Sequence, residues 1–183
     1  GVIMTISRFI RTMTLTARNL LVILFLCLAC SVSHAETIYM GPGETYTNLQ
    51  AAMTAMSAGD TLIIRDGTYT GATNMLDQTH YPPDGSAGAY TIVQAENSGS
   101  VIFDGEGARN MFYLRGTNDD SQRKYIHFEG IEWKNNATGS TAEILFADHI
   151  KFIECGASEA HTGDDSHLWS AYYSEYLLFE DCY

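Results

Sequence analysis

Residues 46–71 read YTNLQAAMTAMSAGDTLIIRDGTYTG. Leu49, Ala52, Met53 and Met56 recur at i, i+3, i+4 and i+7, which gathers them on one face of a short helix. Thr47 is the expected N-cap, Gln50 three residues later closes a capping box, and Gly59 supplies the left-handed residue that ends the helix, giving a span of about 47–58. A β-branched strand follows at residues 61–65, and Asp66-Gly67 makes the next turn. A single helix with one apolar face has to cover something. At the head of a stack of coils it covers the open end of the first, hiding core and unpaired strand edges.

Outward from this cap, strand-like runs recur at 90–95, 101–103, 111–114, 125–133, 143–146, 149–155, 168–172 and 176–182. They are short and bounded by Gly, Asn or Asp, and no helical pattern separates them. A doubly wound α/β fold, which needs crossover helices, is thereby excluded. The spacing predicts a solenoid. YIHFEGI (125–131) aligns with HIKFIEC (149–155) and YLLFEDC (176–182), at offsets of 24 and 27. Ile126, Ile150 and Leu177 fall in one column; Phe128, Phe152 and Phe179 in a second; Ile131, Cys155 and Cys182 in a third. In a parallel β-helix such columns become ladders of like side chains, one rung every ~4.8 Å. Val101 and Phe103 are expected to extend two columns backward by 25, with Glu106 breaking the third. The two cysteines are then packed thiols, because stacked parallel side chains seldom offer the near-perpendicular disulfide torsion.

The first 35 residues read as an export signal. Arg8, Arg11 and Arg18 precede the 11-residue apolar run LLVILFLCLAC at 20–30, and Ser33-His34-Ala35 offers small residues for cleavage after Ala35. The run falls short of the ~20 residues that span a bilayer. The expected location is secreted, periplasmic or cell-surface, with no membrane attachment after cleavage. Gly1 in place of Met, and an end at Tyr183 directly after a strand-like run, read as the N-terminal piece of a longer protein, truncated at its C-terminus. Residues 36–183 carry seven Lys and Arg against 22 Asp and Glu, a net charge of −15. Nucleic acid is not an expected partner, since binding it needs clustered cations.

With these residues in view, the chain resembles the pectin lyase-like superfamily of right-handed parallel β-helices. The carriers are Leu49-Gln50-Ala51-Ala52, Gly59-Asp60-Thr61-Leu62-Ile63-Ile64, Asp66-Gly67-Thr68-Tyr69, and YTIVQAENSGSVIFDG at 90–105 followed by YIHFEGIEWKN. The last pair is similar to the opening coils of the alginate lyase and chondroitinase B-like branch. The resemblance covers nearly all of residues 36–183 and implies an all-β, right-handed parallel β-helix with a short N-terminal capping helix. It implies an exported protein acting on an acidic polysaccharide in the manner of a polysaccharide lyase. The alternative is a non-catalytic surface or glycan-binding β-helix. No segment matches a lyase motif residue by residue, so no catalytic role is carried over.

Candidate chemistry therefore comes from the register. β-Elimination from a uronate needs its carboxylate neutralised, a base for the C5 proton and an acid for the leaving oxygen. His127 and Lys151 alternate with inward residues and are expected side by side on the outer face, with Glu129 two residues along; Leu178 in the third coil interrupts their row. They are the catalytic candidates, against the plainer reading of a solvated sheet face. Asp164 and Asp165, in GASEAHTGDDSH at 156–167, are candidate ligands for calcium, or an ordinary turn. Tyr81, in the long loop 71–89, is the candidate for stacking on a sugar ring. Trp133 shares the inward parity of Ile131 and is expected to be buried. Asn136-Ala137-Thr138 matches a glycosylation acceptor. Cofactor and oligomeric state are not legible.

Overall fold

In the computed structural model, residues 34–163 and 167–183 are described. The expected leader at 1–35 lies almost wholly outside them, and so do Asp164 and Asp165. The protein is an all-β parallel solenoid capped by one short helix. Its first sheet runs β1 (Thr37–Met40), β2 (Thr61–Ile64), β4 (Thr91–Ala95), β7 (Arg123–Glu129), β10 (Ala147–Ile153) and β13 (Glu175–Glu180). The second contains β3 (Gly67–Tyr69), β5 (Val101–Arg109), β8 (Ile131–Asn136) and β11 (Gly156–Ser158). The third contains β6 (Phe112–Arg115), β9 (Ala142–Leu145) and β12 (Trp169–Tyr172). Every ladder within these sheets is parallel. The chain visits the three sheets in turn, and six strands in the first sheet mark five steps along the axis. No helix among the described residues is long and apolar enough to cross a membrane.

The expected register holds over the last three coils. Ile126, Ile150 and Leu177 pair across β7, β10 and β13, as do Phe128, Phe152 and Phe179. Inside, Phe112 of the third sheet meets Phe128, Trp133 and Phe152 at centroid distances of 5.2, 4.6 and 5.7 Å. Three faces thus converge on one aromatic core. Burying each such ring fully is worth about 1.5–3 kcal/mol. Trp133 is buried, as its parity requires.

The backward extension fails. Val101 and Phe103 pair with Ile131 and Trp133 in the second sheet, whereas the rung behind Ile126 and Phe128 is Thr91 and Val93. Along the first sheet the steps from Leu62 through Val93, Phe128 and Phe152 to Phe179 are 31, 35, 24 and 27 residues. Extra residues are placed in the corners, where they leave the ladders undisturbed, so a constant offset works only where corners are equally short. The expected strand at 125–133 is two strands hinged at Gly130, whose φ of 68° turns the chain into the next sheet. The same left-handed conformation recurs in rows: Glu154 and Asp181, and Phe146 and Tyr173, outside the strands, and Tyr125, His149 and Tyr176 as an irregularity within β7, β10 and β13. None of these residues is β-branched, as this region of φ/ψ space demands.

The capping helix, α1 (Leu49–Ala55), is shorter than expected. Leu49, Ala52 and Met53 are buried, and so is Met56 just beyond the end. The N-cap is Asn48, not Thr47: its side chain accepts from the Ala51 N–H at 3.0 Å. Gln50 does not close a box onto Thr47; its amide donates to the Ala72 carbonyl at 3.0 Å, tying the cap to the first coil. Gly59, with φ of 87°, belongs to the turn after the helix, where its N–H donates to Thr91. The helix itself ends at Met56, whose extended backbone halts it.

Candidate functional site

His127 and Lys151 occupy paired positions on β7 and β10, pointing away from the core. The chemistry they share follows from the pleat: Ile126, Phe128, Ile150 and Phe152 take the inward positions, so the residues between them face out. The outward column reads Ile92, His127, Lys151, Leu178. Leu178 ends the polar row, as its place in the sequence requires.

The His127 side chain is only 15% exposed, and its Nε2 lies 3.5 Å from a Glu129 carboxylate oxygen without making a hydrogen bond among the described residues. Burial holds the imidazole below its ordinary range; the Lys151 charge pushes the same way and the Glu129 carboxylate opposes them. At neutral pH the ring is therefore uncharged and able to accept a proton. The Lys151 ammonium sits 4.3 Å from the centroid of the Tyr90 ring and has no carboxylate within ion-pair distance among the described residues. Arg65 pairs with Glu44 and Glu96, Arg109 with Glu106, Arg123 with Asp84, and Lys134 with Asp104, whereas Arg115 and Lys124, like Lys151, have no carboxylate within ion-pair distance among the described residues. An unpaired cation on a strongly acidic protein is available to an anion from solution.

Tyr90 was not singled out from the sequence. It meets Tyr125 edge-on at 5.5 Å, and Tyr125 begins an outer stack with His149 and Tyr176 at 4.7 and 4.5 Å. The signal was present: these three rings head the aligned runs YIHFEGI, HIKFIEC and YLLFEDC. Asp148 holds the His149 Nδ1 at 2.6 Å.

Tyr81 lies apart from this row. Its ring is covered by the Arg123 guanidinium at 4.2 Å and packs against the core edge. The loop that carries it is fastened to β7 by Asp84, which accepts from the Lys124 N–H at 2.9 Å, and by Gly85, which donates to the Lys124 carbonyl. One ring face is thus taken by a cation. Among the described residues no group of three His, Cys, Asp or Glu side chains is placed to hold a metal ion. Cys155 is fully buried, burial drives its thiol up to about 12, and both Cys155 and Cys182 are free. Asn136 is buried, with its amide engaged by Met111 and Ser140, so it is not presented as a glycan acceptor.

No protein-family model matches the sequence, and no curated protein matches it. Among solved structures, the chain is similar to the crystal structure of pectate lyase Pel9A, with 18% identity and a TM-score of 0.49. The match covers 83% of this chain and 48% of that one, so the chain spans about half of that protein's length.

Proposed function

We propose that the outer face of the first sheet binds an acidic polysaccharide, and that His127 and Lys151 act on it by β-elimination. The observation that carries this reading is the pairing of Lys151, an ammonium without a carboxylate partner among the described residues, with His127, an imidazole held neutral beside it. Lys151 pairs with the uronate carboxylate and stabilises the charge that develops on it. His127 takes the C5 proton, the freed electron pair forms the C4–C5 double bond, and the C4–O bond breaks. The imidazolium returns the proton to the departing oxygen, so one group serves both transfers of a syn elimination, which suits mannuronate or glucuronate, with H5 and O4 on one face, and not galacturonate. The reading also places the protein outside the cell, and the apolar leader supports export.

The second reading is glycan binding without chemistry. The low exposure of His127, 15%, and the Leu178 that closes the row favour it. Incubation of the chain with polygalacturonate, alginate and chondroitin sulfate, with and without calcium, separates the two. The elimination reading expects ultraviolet absorbance from an unsaturated product, lost in His127→Ala and Lys151→Ala. Absence of product from all three polymers would leave binding alone, read by Lys151-dependent retention on the immobilised polymers.

A further inference from the structure

A second surface, on the outside of the third sheet, has different chemistry. Tyr113 on β6 pairs with Glu143 on β9, and the bridge between Leu76 and Phe112 places Asp77 on the other side of Tyr113. Asp77, Tyr113 and Glu143 therefore form one outward column over three consecutive coils, about 10 Å from end to end at two rung spacings. They line a groove of about 200 Å³ whose accessible apolar part comes from Met75, with the buried Phe112 beneath it.

Each polar group has capacity left for a ligand. The Tyr113 oxygen accepts from Arg115 Nη1 at 3.0 Å, which leaves its own proton to donate. Asp77 Oδ1 is occupied by the Thr79 and His80 N–H groups, but Oδ2 has only contacts of 3.4 and 3.5 Å to His80 and Gln50. Glu143 is half-buried; burial raises its carboxyl, and Arg115 draws it back. Acceptors at both ends, a donor in the middle and an apolar floor match the alternating hydroxyl and C–H surface of a sugar ring. Two carboxyl groups in one short column disfavour a uronate, the reverse of the face that carries Lys151.

We propose that this groove is a subsite for a neutral disaccharide unit lying along the solenoid axis, its hydroxyls hydrogen-bonded to Asp77, Tyr113 and Glu143. The proposal is independent of the elimination reading and concerns another face of the molecule.

The test titrates the full chain with cellotetraose, mannotetraose and galactotetraose, and with tetragalacturonate, by calorimetry and by amide chemical shifts. The expected result is saturable binding of at least one neutral tetrasaccharide. Tyr113→Phe and Glu143→Ala should each weaken it about tenfold, the loss of one good hydrogen bond. The His127→Ala/Lys151→Ala variant should bind it as the parent does. Tyr113→Phe removes only a hydroxyl, so its effect is separable from misfolding, and native amide spectra check both variants. No saturable binding of any neutral tetrasaccharide, or binding unmoved by both substitutions, overturns the proposal.

Discussion

Phe128 and Phe152 lie face to face on neighbouring coils, with ring centroids 5.3 Å apart and planes 13° from parallel. The next ring continues the pile: Phe179 follows Phe152 at 5.1 Å and 10°. Rung spacing imposes this stacking, since paired positions in parallel strands cannot move apart. Phe152 touches rings on both sides and is fully buried, so Phe152→Ala should cost about 3–5 kcal/mol in urea unfolding. Phe152→Leu, which refills much of the space, should cost less than half of that. Equal losses for the two would show that the stack is not what holds the coils in register.

Helix capping offers a sharper contrast. Asn48→Ala should lose about 1 kcal/mol, because the Ala51 N–H is left without its acceptor. Thr47→Ala should fall within about 0.5 kcal/mol of the parent. The same denaturant titrations read both, and the opposite order would return the cap to Thr47.

The His127 imidazole, held below its ordinary 6.5 by burial, binds a proton more readily in the unfolded chain than in the fold. Its contribution to stability is therefore complete above the unfolded value and declines as pH falls from about 6.5 through the folded one. Carbon-bound proton shifts of the ring should titrate with a midpoint under 6.5, and His127→Gln should flatten this part of the stability–pH curve. A midpoint above 6.5 would mean that Glu129 outweighs burial and Lys151.

Cys155 and Cys182 occupy one inward column yet differ in access. With its thiol pushed up to about 12, Cys155 should resist iodoacetamide at pH 8 in the folded protein. Cys182, partly exposed, should react. Of these two, mass spectrometry of digests should find label on Cys182 alone until denaturant is added, and on both afterwards.

Gly85 fastens the long loop to the solenoid. A Cβ there would lie 2.5 Å from the Tyr125 carbonyl oxygen, 2.6 Å from that of Ala89 and 2.7 Å from the Thr91 nitrogen. All three are backbone atoms, so Gly85→Ala should cost about 1–3 kcal/mol by overpacking. Gly88→Ala, which meets nothing within 4 Å, should cost little.

The sequence carried the periodic part of this architecture. Phe128, Phe152 and Phe179 could be aligned because aromatic residues recur beside apolar partners at short, similar intervals, and their parity also located Trp133 and the outward pair His127 and Lys151. Corners were less legible. Gly130 looked like the interior of one strand, since a sharp turn needs only one permissive residue. β3 (GTY) and β11 (GAS) are not legible because each opens on glycine and holds no apolar alternation, and β1 follows directly on the expected leader. Thr47 and Asn48 are both good caps by composition, and only the Asn48 backbone geometry separates them. Tyr90 became part of the candidate site because a corner brings it beneath Lys151, a relationship that no local pattern encodes. The groove of Asp77, Tyr113 and Glu143 was invisible for the same reason: coils of unequal length hide which residues share a column.

Coils of 24 to 35 residues close onto the same ladders, which makes this chain a frame that accepts cargo. The corner between β6 and β7 is a place to graft: Asn118, Asp119 and Asp120 are exposed and follow the tight Gly116 turn without entering a sheet. A foreign peptide or reporter displayed there would hang from a rigid ruler with divisions of ~4.8 Å. Payloads set at corresponding corners of successive coils would then stand at a known separation.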